Sequence, residues 1–365
     1  MKKIEEIAME YALPQSKYKL AKERYEKLQS LLDESGIECR IYPQGSFSYG
    51  AITKPYKDGK DATYDIDVIV EFPNTDDSYP GELMNQIETL LKSDKYYADK
   101  VSKHENGFTI NYPGDFRMDV IPAKQEDSFL KMKIREKSKE PLFTNDSIKI
   151  PKFVNERYSY LKNNPLGFKM WFKSINDLSI SKEYVTSSKR ELLNESFRGM
   201  YFSAEDIPND YVVTPLQKVI ILLKRCRDVY YSRTKIYNKP LSGMLCLLAC
   251  NAVKNNYFLS FDETLRVVIN HILSLENGKN LDSLHLDNNK WVLINPTNCF
   301  DDLADNWSDS LKDGKAFFDF IRKIKNDLIP IKINDSLNES VIHNAFGKTI
   351  DSYANVANTG KSWKR

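Results

Sequence analysis

Apolar side chains recur at alternating steps of three and four residues through the first 35 positions of the chain. This spacing is typical of one buried helix face, with Lys and Glu residues between the apolar positions. Pro14 predicts a break in the helical stretch, and Gly36 predicts its end, because glycine readily adopts the left-handed conformation that closes a helix. The face consists of Tyr18, Ala21, Tyr25, Leu28 and Leu32.

Alternating apolar and polar positions then predict two strands. Residues 37–42 alternate, and residues 64–72 are rich in β-branched side chains. A tight polar turn at 43–50 and a charged loop at 57–61 lie between them. The two strands therefore begin a sheet that is interrupted by a polar segment.

The next apolar segments predict a helix at 82–91 and an antiparallel hairpin. The strands of the hairpin, 108–112 and 116–121, flank the turn-forming pair Pro113 and Gly114. These elements predict a small mixed sheet with flanking helices. The following residues, 124–164, are charged and irregular, which is typical either of a solvated face or of a rim that steers phosphates.

From Thr214 onward the pattern is mostly helical. Thr214 and Pro215 are the residue types favoured at the N-cap and at the first position of a helix. Residues after Ser340 are polar and are predicted to form a tail. A sheet followed by helices predicts an α+β protein, and 365 residues suffice for two lobes. The helices are predicted at 216–231, 240–254, 261–275 and 308–328.

Composition narrows the function classes. Fifty-three basic and 51 acidic residues give a net charge of +2, so the chain lacks the global charge expected for binding duplex nucleic acid or an anionic membrane. No uninterrupted apolar segment resembles a signal peptide or a membrane span of about 18 residues, so we expect a cytoplasmic protein. Five cysteines are an odd number, which predicts reduced thiols. Cys246 and Cys250 have no histidine at ligand spacing, so no zinc site is expected.

Asp65 and Asp67 are the first candidates for chemistry. Side chains two apart in a strand project to the same face, and the two Cα atoms are expected about 7 Å apart. Such a pair suits either a solvated sheet face or a platform for Mg²⁺, which prefers carboxylates, phosphate oxygens and water. Asp119 offers a third carboxylate on another apolar strand, and three carboxylates fit a two-metal centre for phosphoryl transfer.

The polar turn that precedes these carboxylates could hold a phosphate. Gly45 allows close approach of the backbone, and Ser46 adds a hydroxyl donor. A Gly-Ser pair is equally common in an ordinary turn. Phe47 and Tyr49 are predicted to pack the turn onto the sheet, and Arg117 is predicted either to pair with a carboxylate or to contact a triphosphate.

The ordered motifs resemble the bacterial cGAS/DncV-like nucleotidyltransferases of anti-phage (CBASS) signalling, a branch of the DNA polymerase beta superfamily. The resemblance starts with Gln44-Gly45-Ser46-Phe47-Ser48-Tyr49-Gly50 and Tyr64-Asp65-Ile66-Asp67-Val68. It continues through Leu222-Leu223-Lys224-Arg225-Cys226-Arg227-Asp228, Lys239-Pro240-Leu241-Ser242, Asn295-Pro296 and Ala304-Asp305-Asn306-Trp307, and so covers roughly residues 40–320.

This resemblance implies a bilobal enzyme that makes a cyclic di- or trinucleotide from nucleoside triphosphates. ATP, GTP or both are the expected substrates, and two Mg²⁺ ions are the implied cofactor, with Mn²⁺ as a replacement. A separate effector protein would receive the product, and accessory proteins could regulate the enzyme. The implied division is a catalytic lobe at 1–165 whose N-terminal helix packs across both lobes, a helical lobe at 166–340 and a tail at 341–365.

The resemblance also implies roles for single residues. Asp65, Asp67 and Asp119 take the catalytic, metal-binding places, and Gln44, Gly45 and Ser46 take the phosphate-binding turn. Lys224 and Ser242 match the residues that reach the donor triphosphate. From the sequence alone, Lys224 could instead pair with Asp228 four residues on, and Ser242 could cap a helix.

Two features depart from the animal relative. Gly243 follows Ser242 where that relative has a base-stacking aromatic residue, so stacking must come from elsewhere, with Tyr230, Tyr231 and Tyr237 as candidates. No Cys/His cluster resembles the insertion used for sensing DNA, so activation by DNA is not expected. Two other functions stay open: a transferase that modifies RNA or protein, and a catalytically silent nucleotide-binding protein.

Overall fold

The computed structural model describes residues 2–73, 79–177, 213–256, 259–329 and 337–347. The helices in these ranges are α1 (Lys2–Met9), α2 (Gln15–Glu34), α3 (Gly45–Ser48), α4 (Pro80–Ser93), α5 (Ser128–Lys137), α6 (Pro165–Asn176), α7 (Pro215–Thr234), α8 (Ser242–Val253), α9 (Phe261–Ser274), α10 (Ser310–Leu328) and α11 (Leu337–Phe346). The break at Pro14 and the Thr214 cap are confirmed, and the Thr214 hydroxyl accepts a hydrogen bond from the Gln217 backbone N–H.

Seven strands form one mixed sheet, in which β1, β4, β7, β6 and β5 lie side by side. The central pair, β4 and β7, is parallel, and β1 runs antiparallel to β4 on its other side. Two short hairpins, β2–β3 and β10–β11, lie outside the sheet. The strands are β1 (Arg40–Gln44), β2 (Tyr56–Lys57), β3 (Lys60–Asp61), β4 (Tyr64–Phe72), β5 (Val101–His104), β6 (Gly107–Tyr112), β7 (Phe116–Gln125), β8 (Ile148–Val154), β9 (Arg157–Asn163), β10 (His285–Asp287) and β11 (Lys290–Val292).

The segment 124–164 is more regular than its charged sequence indicated. It contains the end of β7, helix α5 and the antiparallel strands β8 and β9, which extend the sheet from β7. The sequence signal is weak because little of these strands is buried: Ile148 and Ile150 at the start of β8 are buried, Phe153 and Val154 at its end are exposed, and no residue of β9 is buried.

Two main hydrophobic cores flank the site. One lies between the sheet and helices α2 and α4. The other joins helices α6 to α11 and also includes Ile4 and Ile7 of α1, which packs against α7. The free thiols of Cys226, Cys246 and Cys250 are buried in this second core, as the apolar pattern predicted.

The predicted tail from residue 341 begins inside a helix. Helix α11 spans Leu337–Phe346 and packs against α7 and α10, with Phe346 fully buried. Its polar sequence hid this, because a short helix that docks on an existing core needs few apolar residues. Residues 348–365 of the predicted tail lie outside the described ranges.

Candidate active site

The sheet brings the three predicted carboxylates to neighbouring strands. In β4, burial alternates so that Ile66 and Val68 enter the core, while Asp65 and Asp67 project from the opposite face. The parallel register of β4 and β7 places Asp67 directly opposite Asp119. The alternation and the third carboxylate on another strand were predicted from the sequence, whereas the parallel register that sets Asp119 beside Asp67 was not.

Asp67 is the most perturbed of the three groups. Burial raises the pKa of the Asp67 carboxyl to about 7, with the neighbouring Asp119 and Asp65 charges adding to the rise and Lys224 opposing it. No hydrogen bond from a described residue contributes to the pKa of Asp67. A carboxylate that is buried beside two others and lacks a donor is costly unless a cation neutralises it.

Asp65 and Asp119 have protein partners. The Asp65 Oδ1 atom accepts hydrogen bonds from Arg117, 2.8 Å from Nε and 2.7 Å from Nη2. The hydroxyl of Thr109 donates to Asp119 Oδ1 at 2.5 Å. Burial raises the pKa of Asp65, and Arg117 opposes the rise. Arg117 is thus a carboxylate partner, one of the two roles predicted for it.

The fit to divalent cations rests on the donor set. As these side chains are placed, no three His, Cys, Asp or Glu side chains in the described ranges are grouped closely enough to hold a metal ion. The carboxylate oxygens are nevertheless the hard ligands that Mg²⁺ prefers, and among the described residues only the charge of Lys224 opposes that of Asp67. Both Arg117 bonds go to Asp65 Oδ1, so Asp65 Oδ2 would be the oxygen available to an ion.

The predicted phosphate turn lies directly against Asp67. Gly45 has a left-handed φ of 58°, and a Cβ atom added there would meet Asp67 Oδ2 at 3.0 Å. Ser48 Oγ donates to the Gly45 carbonyl at 2.8 Å, which closes the short helix α3. Phe47 and Tyr49 are buried, so the prediction that they pack the turn is confirmed.

Lys224 and Ser242 approach the turn from the helical side. The Lys224 ammonium donates to the Ala51 carbonyl at 2.8 Å rather than to Asp228, so the predicted alternative pairing is wrong. Burial and the neighbouring charge of Arg227 together lower the pKa of Lys224 to about 8, and the charge of Asp228 opposes this fall. Leu241 holds the N-cap position of α8 and Ser242 is the first residue of the helix, so Ser242 is not the N-cap residue.

Sequence reasoning missed a charged cluster behind Ser242. Asp228 Oδ1 accepts bonds from Arg227, 3.0 Å from Nε and 2.8 Å from Nη2, and from Lys239 Nζ at 2.9 Å. Arg227 Nη1 also donates to Ser242 Oγ at 3.1 Å. Because the serine oxygen accepts this bond, its own O–H is free to donate into the cleft. Residues one apart on a helix do not usually face each other, so helical spacing did not predict that Arg227 and Asp228 would pair.

All eight predicted site residues line one cleft between the sheet and the helices, with a volume of about 630 Å³. The catalytic side contributes Gln44, Gly45, Ser46, Asp65, Asp67 and Asp119, and the helical side contributes Lys224 and Ser242. Of the predicted stacking residues, Tyr230 and Tyr231 pack on Phe320 and Tyr237 is exposed; none of these tyrosines lines the cleft, whereas Phe168 does.

Comparison with known proteins identifies the family. Residues 2–176 match the Second Messenger Oligonucleotide or Dinucleotide Synthetase domain. A c-di-GMP synthase of Roseivirga ehrenbergii is 28% identical over 312 residues, which are 84% of this chain and 71% of that protein. Residues 2–176 therefore form a domain of this family, and the chain is similar to the cGAS/DncV-like nucleotidyltransferases. A nucleotidyltransferase is therefore the class of enzyme that the domain indicates, as the motifs predicted.

Solved structures of relatives share the fold of this nucleotidyltransferase. The Bradyrhizobium diazoefficiens CD-NTase CdnG, solved with GTP, has a TM-score of 0.70 and 20% identity, covering 97% of this chain and 96% of its own. E. coli MS115-1 CdnC, solved with ATP, has a TM-score of 0.61 and 16% identity, covering 95% and 97%. The predicted α+β fold is confirmed. No described helix of the nucleotidyltransferase combines the length and apolar character needed to cross a bilayer.

Proposed function

We propose that the cleft joins nucleoside triphosphates into a cyclic di- or trinucleotide in bacterial anti-phage defence. The observation that carries the proposal is the convergence of Asp65, Asp67 and Asp119 with the Gly45 turn and Ser242 in one cleft. The proposed cofactor is two Mg²⁺ ions, with Mn²⁺ as a replacement. When bound, such ions stabilise the triphosphate charge and lower the pKa of the attacking hydroxyl.

Each group of site residues has a separate role in this proposal. Asp65, Asp67 and Asp119 hold the ions, and Asp119 is placed to accept the proton of the attacking ribose hydroxyl. Gln44, Gly45 and Ser46 contact the donor triphosphate from the sheet side. Lys224 and the free O–H of Ser242 contact it from the helical side, supported by Arg227.

The wider setting is also part of the proposal. ATP, GTP or both serve as substrates in the cytoplasm, and the name of the Roseivirga relative, a c-di-GMP synthase, supports GTP. A separate effector receives the product. Accessory proteins regulate the enzyme, for which the solved complex of E. coli CdnC with a HORMA protein offers a parallel. We place the boundary between the catalytic and helical lobes near residue 165.

Incubation with labelled nucleoside triphosphates and Mg²⁺, followed by phosphatase and mass spectrometry, tests the function. We expect phosphatase-resistant cyclic products that disappear when Asp65→Asn and Asp67→Asn are combined. The double variant Asp58→Asn with Asp305→Asn makes the same charge change at exposed sites and should keep activity. Label on RNA or protein, or no product with any metal, would contradict the proposal in favour of the two rival functions.

A further inference from the structure

The wall of the cleft beyond Ser242 is built from a loop of the helical lobe. Gly243 faces Leu303, whose two δ-carbons lie 3.7 and 3.8 Å from the position of an added Cβ. Leu241, Leu303 and Phe168 give the neighbouring walls an apolar character, and Asp301 and Asn295 line the same space. Apolar side chains beside a few fixed polar groups are the usual lining of a small-molecule site, so this part of the cleft is suited to a nucleotide base.

The loop 295–301 holds the Asp301 side chain in one orientation. The Asn295 backbone N–H donates to the Asp301 carbonyl at 2.8 Å, and Asn295 Nδ2 donates to Asp301 Oδ2 at 2.8 Å. Thr297 fixes the amide of Asn295, because its backbone N–H and hydroxyl both donate to Asn295 Oδ1, at 3.0 and 2.9 Å. Asn295 and Thr297 are buried, so the carboxylate is anchored on a rigid support.

The Asp301 carboxylate accepts fewer hydrogen bonds than a buried charged group needs. Burial raises the pKa of its carboxyl to about 6, with Asp305 and Asp302 adding to the rise and the single bond from Asn295 opposing it. No described cation contributes to the balance, and no described group donates to Oδ1. A carboxylate offers about four acceptor positions, so a group in this setting calls for further donors from a ligand.

The geometry points to Asp301 as the residue that selects the base of a bound nucleotide, and to guanine as that base. This inference rests on the proposed function and deepens it. Guanine presents two adjacent donors on its Watson–Crick edge, N1–H and the 2-amino group, which match the two oxygens of a carboxylate. Bonds to an ionised acceptor in a bidentate arrangement are strong and geometrically selective.

The other bases fit less well. Adenine presents an acceptor at N1, which a carboxylate would repel. Cytosine offers only its 4-amino donor beside an acceptor, and uracil offers a single N–H between two carbonyls. A site whose polar group is left unpaired by the wrong substrate discriminates far more strongly than an apolar pocket does.

The substitution Asp301→Asn tests the inference, because an amide pairs a donor with an acceptor and so complements adenine. The purified full-length chain is incubated with Mg²⁺ and equimolar ATP, GTP, CTP and UTP, and the product is weighed by mass spectrometry. We expect guanine in the wild-type product and a fall of about tenfold or more in the guanine-to-adenine ratio for Asp301→Asn. Asp287→Asn, an exposed change in the hairpin β10–β11, should leave the ratio unchanged.

A binding measurement separates this inference from the proposed function. Calorimetry with non-hydrolysable analogues of GTP, ITP and ATP needs no catalysis, and ITP lacks only the 2-amino group. We expect the wild type to bind the GTP analogue about tenfold more tightly than the ITP analogue, and Asp301→Asn to lose that difference. Equal wild-type affinities, or an unchanged ratio in folded Asp301→Asn, would overturn the inference. An absence of product together with guanine-selective binding would contradict the proposed function alone.

Discussion

At the scale of single residues, the contact between Gly45 and Asp67 explains why the turn and the carboxylates occur together in the sequence. The turn needs a left-handed residue, and the space above it is taken by the Asp67 carboxylate. Any side chain at position 45 would therefore strain the backbone and displace the most buried of the three carboxylates. The sequence pattern indicated a phosphate turn, but it could not show this contact.

A comparison of Gly45→Ala with Gly59→Ala separates backbone strain from displacement of the Asp67 carboxylate. Both glycines have positive φ, 58° and 80°, but an added Cβ at Gly59 meets nothing within 4 Å. Each change should cost about 1 kcal/mol of stability from backbone strain. Only Gly45→Ala should also lower kcat/KM, by at least about tenfold, because it shifts Asp67. Equal kinetic losses in steady-state assays of both variants would show that the contact has no catalytic importance.

At the scale of elements, sequence reasoning succeeded where one pattern determined the local structure. Strand 64–72 was predicted with the observed bounds, and the hairpin around Gly114 and the long helix from Pro215 were also correct. The segment from Lys131 to Lys137, which lies in helix α5, was instead predicted to be irregular. That helix is short and has one buried residue, Ile134, so its periodicity is too weak to recognise.

Arg225 joins several elements whose contact no sequence pattern predicted. Its guanidinium is buried, lies 3.9 Å from the ring centroid of Tyr11, and donates to the Phe346 carbonyl at 2.9 Å and to Asp61 at 2.6 Å. It therefore ties α7 to the N-terminal segment, the β2–β3 hairpin and α11. Such a junction depends on tertiary contacts between distant residues, which helical spacing alone cannot reveal.

Arg225→Lys should destabilise the protein by about 2–4 kcal/mol, because a lysine keeps the charge but loses the planar fork and the stacking. Arg233→Lys is the matched control: Arg233 also joins α7 to α11, through the Asn344 carbonyl, but that bond is exposed. The control should cost about 0.5 kcal/mol or less. Urea unfolding measures both free energies, and a cost for Arg225→Lys no larger than the control would refute the junction.

At the scale of the whole molecule, the site exists only when the sheet and the helices come together. The motifs placed six of the eight site residues on the sheet side, and the family resemblance supplied Lys224 and Ser242. The cluster of Arg227, Asp228 and Lys239 stayed hidden, because its bonds join a helix to a loop eleven residues away. The assembly concentrates uncompensated negative charge around Asp67, and this has a consequence for global stability.

The pKa of Asp67 is about 7 in the folded protein, against an ordinary value of 3.8. Between these two pH values the folded protein keeps a proton on Asp67 that the unfolded chain releases. The contribution of this group to stability therefore falls as pH rises from about 4 to about 7. Without metal, Asp67→Asn should be more stable than the wild type at pH 8, by up to about 4 kcal/mol, and this gain should largely vanish near pH 4 to 5. Urea unfolding in EDTA at both pH values measures the gain, with the exposed Asp305→Asn as control. Mg²⁺ with a nucleoside triphosphate should stabilise only the wild type strongly, since it neutralises the buried carboxylates. A gain that is equal at both pH values would show that Asp67 is not protonated in the metal-free fold.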